Sequence, residues 1–238
     1  QYTGQNVEHA KVQFETNRDP NEIVFQFNKR FLVYFAVDHF EVYMTTKLAK
    51  HKTYFLPFNQ GSNGAGEVGG KGNPPNSEGY PTAYLWEQVL HRNQFMDIVE
   101  RFMNFEVKKN ILIFPRYHQL DVVNKLVADV KEHGSGKNYL IQHSAGSGKS
   151  NSIAWLAYHL ASLHDKENNP IYSSIIIVTD RTVLDRQLQD TITSFEHTTG
   201  QVETIGDNKT SQDLKNAIND KRKIIITTLQ KFPVIYQE

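Results

Sequence analysis

Eight residues, His143-Ser-Ala-Gly-Ser-Gly-Lys-Ser150, carry the clearest chemistry in this sequence. Glycines at 146 and 148 let a backbone turn tightly and aim successive N–H groups at phosphate oxygens. Lys149 reaches the β- and γ-phosphates of a nucleotide as a point charge. The Ser150 hydroxyl is a ligand for Mg2+. Ser144, Ala145 and Ser147 complete a loop that wraps the anion. The apolar run Tyr139-Leu-Ile141 predicts a strand over 138–142, and a helical pattern over 150–163 comes after the loop. That helix would present the positive end of its dipole to the phosphates. The full pattern G-x-x-x-x-G-K-[ST] asks for glycine where this chain has His143, a departure that selects a subclass of such loops. A Gly/Ser turn with a chance lysine is the bland alternative, and the strand–loop–helix setting argues against it.

Three further groups could serve a site built around this loop. Arg116-Tyr117-His118-Gln119 sits about 25 residues upstream, at the start of a helical pattern. A glutamine amide donates and accepts at once, which matches the N6/N7 edge of adenine. Arg116 and Gln119 are therefore read as selecting ATP, against the plainer reading of a solvated first turn. Thr179-Asp-Arg181 and Thr227-Thr228 each come after an apolar strand pattern at its carboxyl end, the edge where open α/β sheets place ligands. Arg181, Thr227 and Thr228 are read as contacts to nucleic-acid phosphates that carry no sequence information, against simple strand-end capping. The ten histidines lack zinc-ligand spacing, and no G-x-S-x-G nucleophile elbow occurs.

The elements that must position these residues fall into three zones. Residues 1–56 read as a short helix over Asn6–Phe14 and a hairpin, Phe31–Val37 and Val42–Thr46. Residues 57–110 hold a long loop, 59–81, with seven glycines and the prolines 74, 75 and 81. Such composition buries little apolar surface and predicts a mobile segment. A helical connector over 84–105 comes next, with Leu85, Val89, Leu90, Phe95, Ile98, Val99, Phe102 and Met103 at helical spacing. Residues 111–238 alternate: helix 117–131 with Leu120, Val123, Leu126, Val127 and Val130 as its apolar positions, strand 138–142, the loop, helix 150–163 with Ile153, Ala154, Leu156, Ala157 and Leu160, strand 174–179, helix 183–195 with Leu184, Leu188, Ile192 and Phe195 on one face, a helix 211–219 capped by Ser211, and strand 223–227. The centres of 174–179 and 223–227 are continuously apolar, as buried parallel strands are. The fold class is α/β, a parallel sheet with helices on both faces.

Composition sets the bounds. Twenty-six basic and 26 acidic side chains cancel, so the chain has no overall basic footprint for nucleic acid, though a local patch stays open. The absence of cysteine removes disulfides and thiolate metal sites and fits a cytoplasmic setting. No apolar run is long enough for a membrane span. The polar N-terminus is no signal peptide; with no initiator Met, it reads as a piece of something longer.

Taken in order, Arg116–Gln119, Ser144–Ser150, Val178-Thr-Asp-Arg-x-x-Leu-Asp-x-Gln187 and Ile226-Thr-Thr-Leu-Gln-Lys-Phe232 resemble the early motifs of superfamily-two helicase motors. Many of those motors also lack the first glycine. The wording is similar to that of the restriction (motor) subunit of type I restriction-modification enzymes. Tyr2-Thr-Gly-Gln-Asn-Val-Glu8, Phe31–Lys47 and Phe55-Leu-Pro-Phe-Asn-Gln-Gly61 resemble segments on the C-terminal side of the nuclease core in that subunit. Tyr84-Leu-Trp-Glu87 and Glu100-Arg-Phe102 resemble its connector. The resemblance implies the C-terminal part of a restriction-nuclease-like domain at 1–56, connector helices at 57–110, and an incomplete RecA-like motor lobe at 111–238. It implies ATP and Mg2+ as cofactors, and double-stranded DNA with methyltransferase and specificity subunits as partners. It assigns catalytic roles to Lys149 and, at the nuclease site, to Gln13. The family's Asp and Glu-x-Lys nuclease triple, its Asp-Glu box and its arginine finger find no counterparts in these residues. The expectation is a piece that binds nucleotide but neither cleaves DNA nor turns ATP over quickly. Two other readings stay open: a repair helicase without a nuclease, and a non-hydrolytic ATP-binding regulatory module.

Overall fold

The computed structural model describes residues 4–107, 109–180, 182–196, 200–206 and 208–232. The chain divides into two compact units, Gln1–Asp121 and Val122–Glu238.

In the first unit, α1 (Val7–Asn17) starts at Asn6, whose Oδ1 accepts the N–H groups of Glu8 and His9, a standard N-cap. Strands β1 (Tyr34–Val37) and β2 (Val42–Thr45) form the expected antiparallel hairpin, Tyr34 opposite Thr45 and Val37 opposite Val42. Its connection is organised by one carboxylate. Asp38 Oδ1 accepts the N–H groups of Phe40 and Glu41, each at 2.8 Å, while Oδ2 accepts the Val7 N–H at 2.9 Å. Helix and hairpin are thereby tied together. A short β3 (Leu56–Pro57) pairs with β2.

The glycine-rich stretch is fastened at its base. Gly61 N–H donates to Gly72 O and Ser62 N–H to Gly70 O. Asn73 accepts the Gln60 N–H and donates to Phe40 O and Asn59 Oδ1.

The connector is not one helix. Its polypeptide runs as a π-helical turn (Leu85–Val89), then α2 (Arg92–Asp97), then a second π-helical turn (Ile98–Phe102). Strands β4 (Asn104–Glu106) and β5 (Ile111–Ile113) pair after it. The break falls at His91, whose ψ of 138° is extended. The wider turns let Leu85 and Val89, then Ile98 and Phe102, all reach the interior. Leu90 and Met96 stay exposed.

Helix α3 (Tyr117–His133) matches its predicted periodicity, with Leu120, Val123 and Val130 buried. In the second unit, α4 (Lys149–Ala161), β6 (Ile175–Thr179), α5 (Thr182–Ser194), β7 (Val202–Ile205), α6 (Ser211–Asn219) and β8 (Ile224–Thr228) build an α/β layer. The sheet is parallel, in the order β6-β8-β7, with Ile177 beside Ile226 and Thr204 beside the same residue on the other flank. Strand β8 is central and wholly buried, which explains its unbroken apolar run. Leu188, Ile192 and Phe195 of the α5 region turn inward as expected; the side chain of Leu184 lies outside the described residues. Trp155 meets Phe195 edge to face at 5.6 Å.

Four expectations are corrected here. Strand β7 was not anticipated. Helix α6 is capped by Thr210 rather than Ser211, and Thr210 and Asp213 exchange hydrogen bonds. On α4 the buried face is Ala154, Trp155 and Ala157, whereas Ile153 is exposed. Residues 138–142 form no strand. Leu140 is 93% exposed, and no sheet edge among the described residues pairs with it. A strand needs a neighbour for its N–H and C=O groups, and the local apolar pattern could not reveal that none was supplied.

Candidate nucleotide-binding site

The loop before α4 has the backbone that its glycines predict. Gly146 and Gly148 both lie in the left-handed region, at φ 72° and 82°. At Gly146 an added Cβ would meet nothing within 4 Å, so glycine is required there by φ and not by crowding. Ser147 N–H donates to Ser144 O at 3.3 Å and closes the turn. Gly148 is the N-cap of α4 and brings no side-chain acceptor. The first-turn N–H groups of a helix so capped, with its dipole, form a general anion-binding arrangement.

Lys149 is the first residue of α4. Its Nζ donates to the carbonyl oxygens of Ser144, at 2.8 Å, and His143, at 3.2 Å. These carbonyls are the kind of acceptor that phosphate oxygens would replace, and the charge-assisted bond to an anion is the stronger. Ser150, in the first helical turn, is half-buried. Ser144, Ala145 and Gly146 are exposed and Ser147 is buried. The sequence-predicted residues 144–150 therefore form one continuous loop and helix start.

His143 is half-buried beside this lysine. Burial first, and the Lys149 charge second, hold its imidazole below the usual histidine range.

No group of three or more His, Cys, Asp or Glu able to hold a metal occurs among the described residues. A Mg2+ ion accepts just such a sparse protein contribution, because it keeps waters and takes phosphate oxygens as its other ligands. The hard hydroxyl oxygen of Ser150 fits it.

Arg116 and Gln119 belong to the first unit. Gln119 is 3% exposed, so the solvated-turn alternative does not apply. Its Oε1 accepts the Arg116 N–H at 2.9 Å, half of a capping box at the start of α3. The same turn holds an arrangement that spacing could not reveal. Tyr117 hydroxyl accepts a hydrogen bond from Gln60 Nε2 at 2.9 Å, across 57 residues of sequence.

The remaining candidates are scattered. Gln13 is an exposed residue of α1. Arg181 lies outside the described residues. Thr227 and Thr228 are buried at the end of β8, 0% and 5% exposed. Thr227 Oγ1 has no hydrogen-bond partner among the described residues.

The parallel sheet and the helices around it define an α/β domain in which a loop with two left-handed glycines leads into α4. A model of the SWI2/SNF2 ATPase family matches residues 118–238, half of the chain, and the chain belongs to that family. It therefore carries a helicase-like ATPase motor domain, for which the family implies a RecA-like lobe. The chain is also similar to the type I restriction enzyme HindI endonuclease subunit of Haemophilus influenzae (strain ATCC 51907 / DSM 11121 / KW20 / Rd). The two are 29% identical over 161 residues, 65% of this chain and 15% of that protein's length. Both findings agree with the helicase-like motor and restriction-subunit wording of the motifs. Among the described residues no helix is long and apolar enough to cross a membrane.

Proposed function

We propose that this chain is the nucleotide-binding part of an ATP-driven motor that moves double-stranded DNA in a type I restriction endonuclease. The observation that carries the reading is the loop itself. Two glycines in the left-handed region bring Lys149 and Ser150 to the head of α4. In this reading the N–H groups of 145–150 and the Lys149 ammonium hold the β- and γ-phosphates. Lys149 exchanges its bonds to the Ser144 and His143 carbonyls for phosphate oxygens. The Ser150 hydroxyl would hold Mg2+, which when bound offsets the negative charge on the phosphates. Arg116 and Gln119 recognise adenine, with the Gln119 amide oxygen using its second lone pair beside the Arg116 N–H. Arg181 contacts DNA phosphates.

The rest of the assignment comes from the similarity to a restriction subunit. Residues 1–56 belong to a nuclease-like domain, with Gln13 near its site. Residues 57–110 connect it to the motor lobe, 111–238. Methyltransferase and specificity subunits are the protein partners, and the setting is cytoplasmic.

The test is ATP turnover by the intact polypeptide with and without linear duplex DNA. Stimulation by duplex that disappears in Lys149→Ala supports a DNA motor. Turnover indifferent to DNA contradicts it and favours a regulatory ATP-binding module.

A further inference from the structure

A glycine-rich loop and the adenine-reading turn share one side-chain hydrogen bond, and the surroundings of that bond are built with care. Gln60 is the second residue of the stretch 59–81. Its own backbone N–H is held by Asn73 Oδ1 at 2.8 Å. Its side-chain amide donates to the Tyr117 hydroxyl at 2.9 Å. The Tyr117 ring is clamped edge-on by two others, Phe58 at 5.8 Å and Tyr84 at 5.0 Å. Tyr84 is fixed in turn, because its hydroxyl donates to Phe58 O at 2.6 Å. Tyr117 is the first residue of α3, between Arg116 and Gln119. Arg116 N–H donates to Gln119 Oε1, so the rotation of this turn decides where the Gln119 amide stands. All these residues lie in one unit.

We propose that Gln60 is a positioning residue for adenine selection: through the Tyr117 hydroxyl it fixes the first turn of α3 and hence the Gln119 amide. The proposal rests on the adenine role of Gln119 stated above. Apolar clamping already places the Tyr117 ring. A buried phenol also needs a partner for its hydroxyl, and the loop supplies that partner from 57 residues away. The loop thereby becomes part of base selection without touching the base. A shift of the amide by a fraction of an ångström is enough to unpair a base edge, and an unpaired buried polar group is what makes such sites selective.

The experiment measures the affinities of ATP and GTP, each with Mg2+, for the full chain and for Gln60→Leu, Tyr117→Phe, the double variant and Gln119→Ala. The expected result has three parts. The native chain prefers ATP, and Gln119→Ala abolishes the preference. Gln60→Leu and Tyr117→Phe each lower the ATP/GTP ratio about fivefold, the scale of one net hydrogen bond, with GTP affinity unchanged. The double variant is no worse than either single one, because both remove the same bond. Tyr117→Phe keeps the clamped ring and guards against a simple loss of folding. A merely structural bond would weaken both nucleotides alike or lower only the unfolding temperature, and that outcome overturns the proposal. A native ratio in Gln60→Leu and Tyr117→Phe overturns it too, while leaving the role of Gln119 intact. Equal affinities in the native chain, or a native ratio in Gln119→Ala, remove the adenine reading itself and this proposal with it.

Discussion

Lys149 and His143 form the most consequential pair of residues in the second unit. The lysine ammonium donates to the His143 carbonyl, and its charge joins burial in holding the imidazole in the neutral form. Linkage gives the sign. The folded-state pKa is lowered, so below the ordinary histidine value, about 6.5, the unfolded chain binds the proton more readily. The contribution of this residue to stability is complete above that value and is lost as the pH falls through it towards the lower folded-state pKa. Denaturant midpoints measured at pH 7.5 and 5.5 check this. The native chain should lose more stability between them than His143→Gln does. An equal loss in both would mean that His143 titrates as an exposed histidine. The turn at 143–150 was legible in the sequence because its determinants are local: two glycines take left-handed φ and α4 starts directly after them, all within eight consecutive residues. The Gln60–Tyr117 bond was not, since nothing in either segment marks two side chains 57 residues apart as partners.

At the scale of elements, legibility divides in the same way. Helices α3 and α5 and strand β8 stood out because their patterns are set by their own burial; β6 carries an equally apolar run, yet only its Ile177 is buried and Ile176 and Val178 are exposed. Strand β7 escaped because Val202-Glu-Thr-Ile205 is short, and only Ile205 is fully buried. The run 138–142 was over-read for the opposite reason: its side chains favour a strand, but pairing is a non-local event. The connector was misjudged because a 3.6-residue period cannot anticipate two wider turns. Substitution separates the two apolar runs. Ile225, 0% exposed at the centre of the sheet and packed with Ile205, Leu214 and Ala217, should cost about 2–5 kcal/mol on replacement by Ala. Leu140→Ser should change stability by less than about 0.5 kcal/mol, as exposed positions do. Equilibrium unfolding in urea checks both. A large loss at Leu140 would restore the strand at 138–142.

Over the whole molecule, the family match begins at residue 118, one residue beyond the tyrosine that Gln60 holds. The ATPase assignment therefore rests on the part of the chain that carries the parallel sheet and the loop at 143–150. The first unit holds the Arg116–Gln119 turn and the glycine-rich stretch bonded to Tyr117. Neutral overall charge requires any grip on DNA to come from local groups and not from a general basic field. Everything proposed for the motor depends on one event, the capture of a nucleotide triphosphate by residues 144–150. Calorimetric titration of the chain with ATP and Mg2+, beside Lys149→Ala, tests that event most directly. The native chain should bind, and the variant should lose binding by tenfold or more, about 1.4 kcal/mol or above, because a charged hydrogen bond to phosphate is removed. Equal affinity in the two proteins would contradict the phosphate-loop assignment and the motor reading built on it.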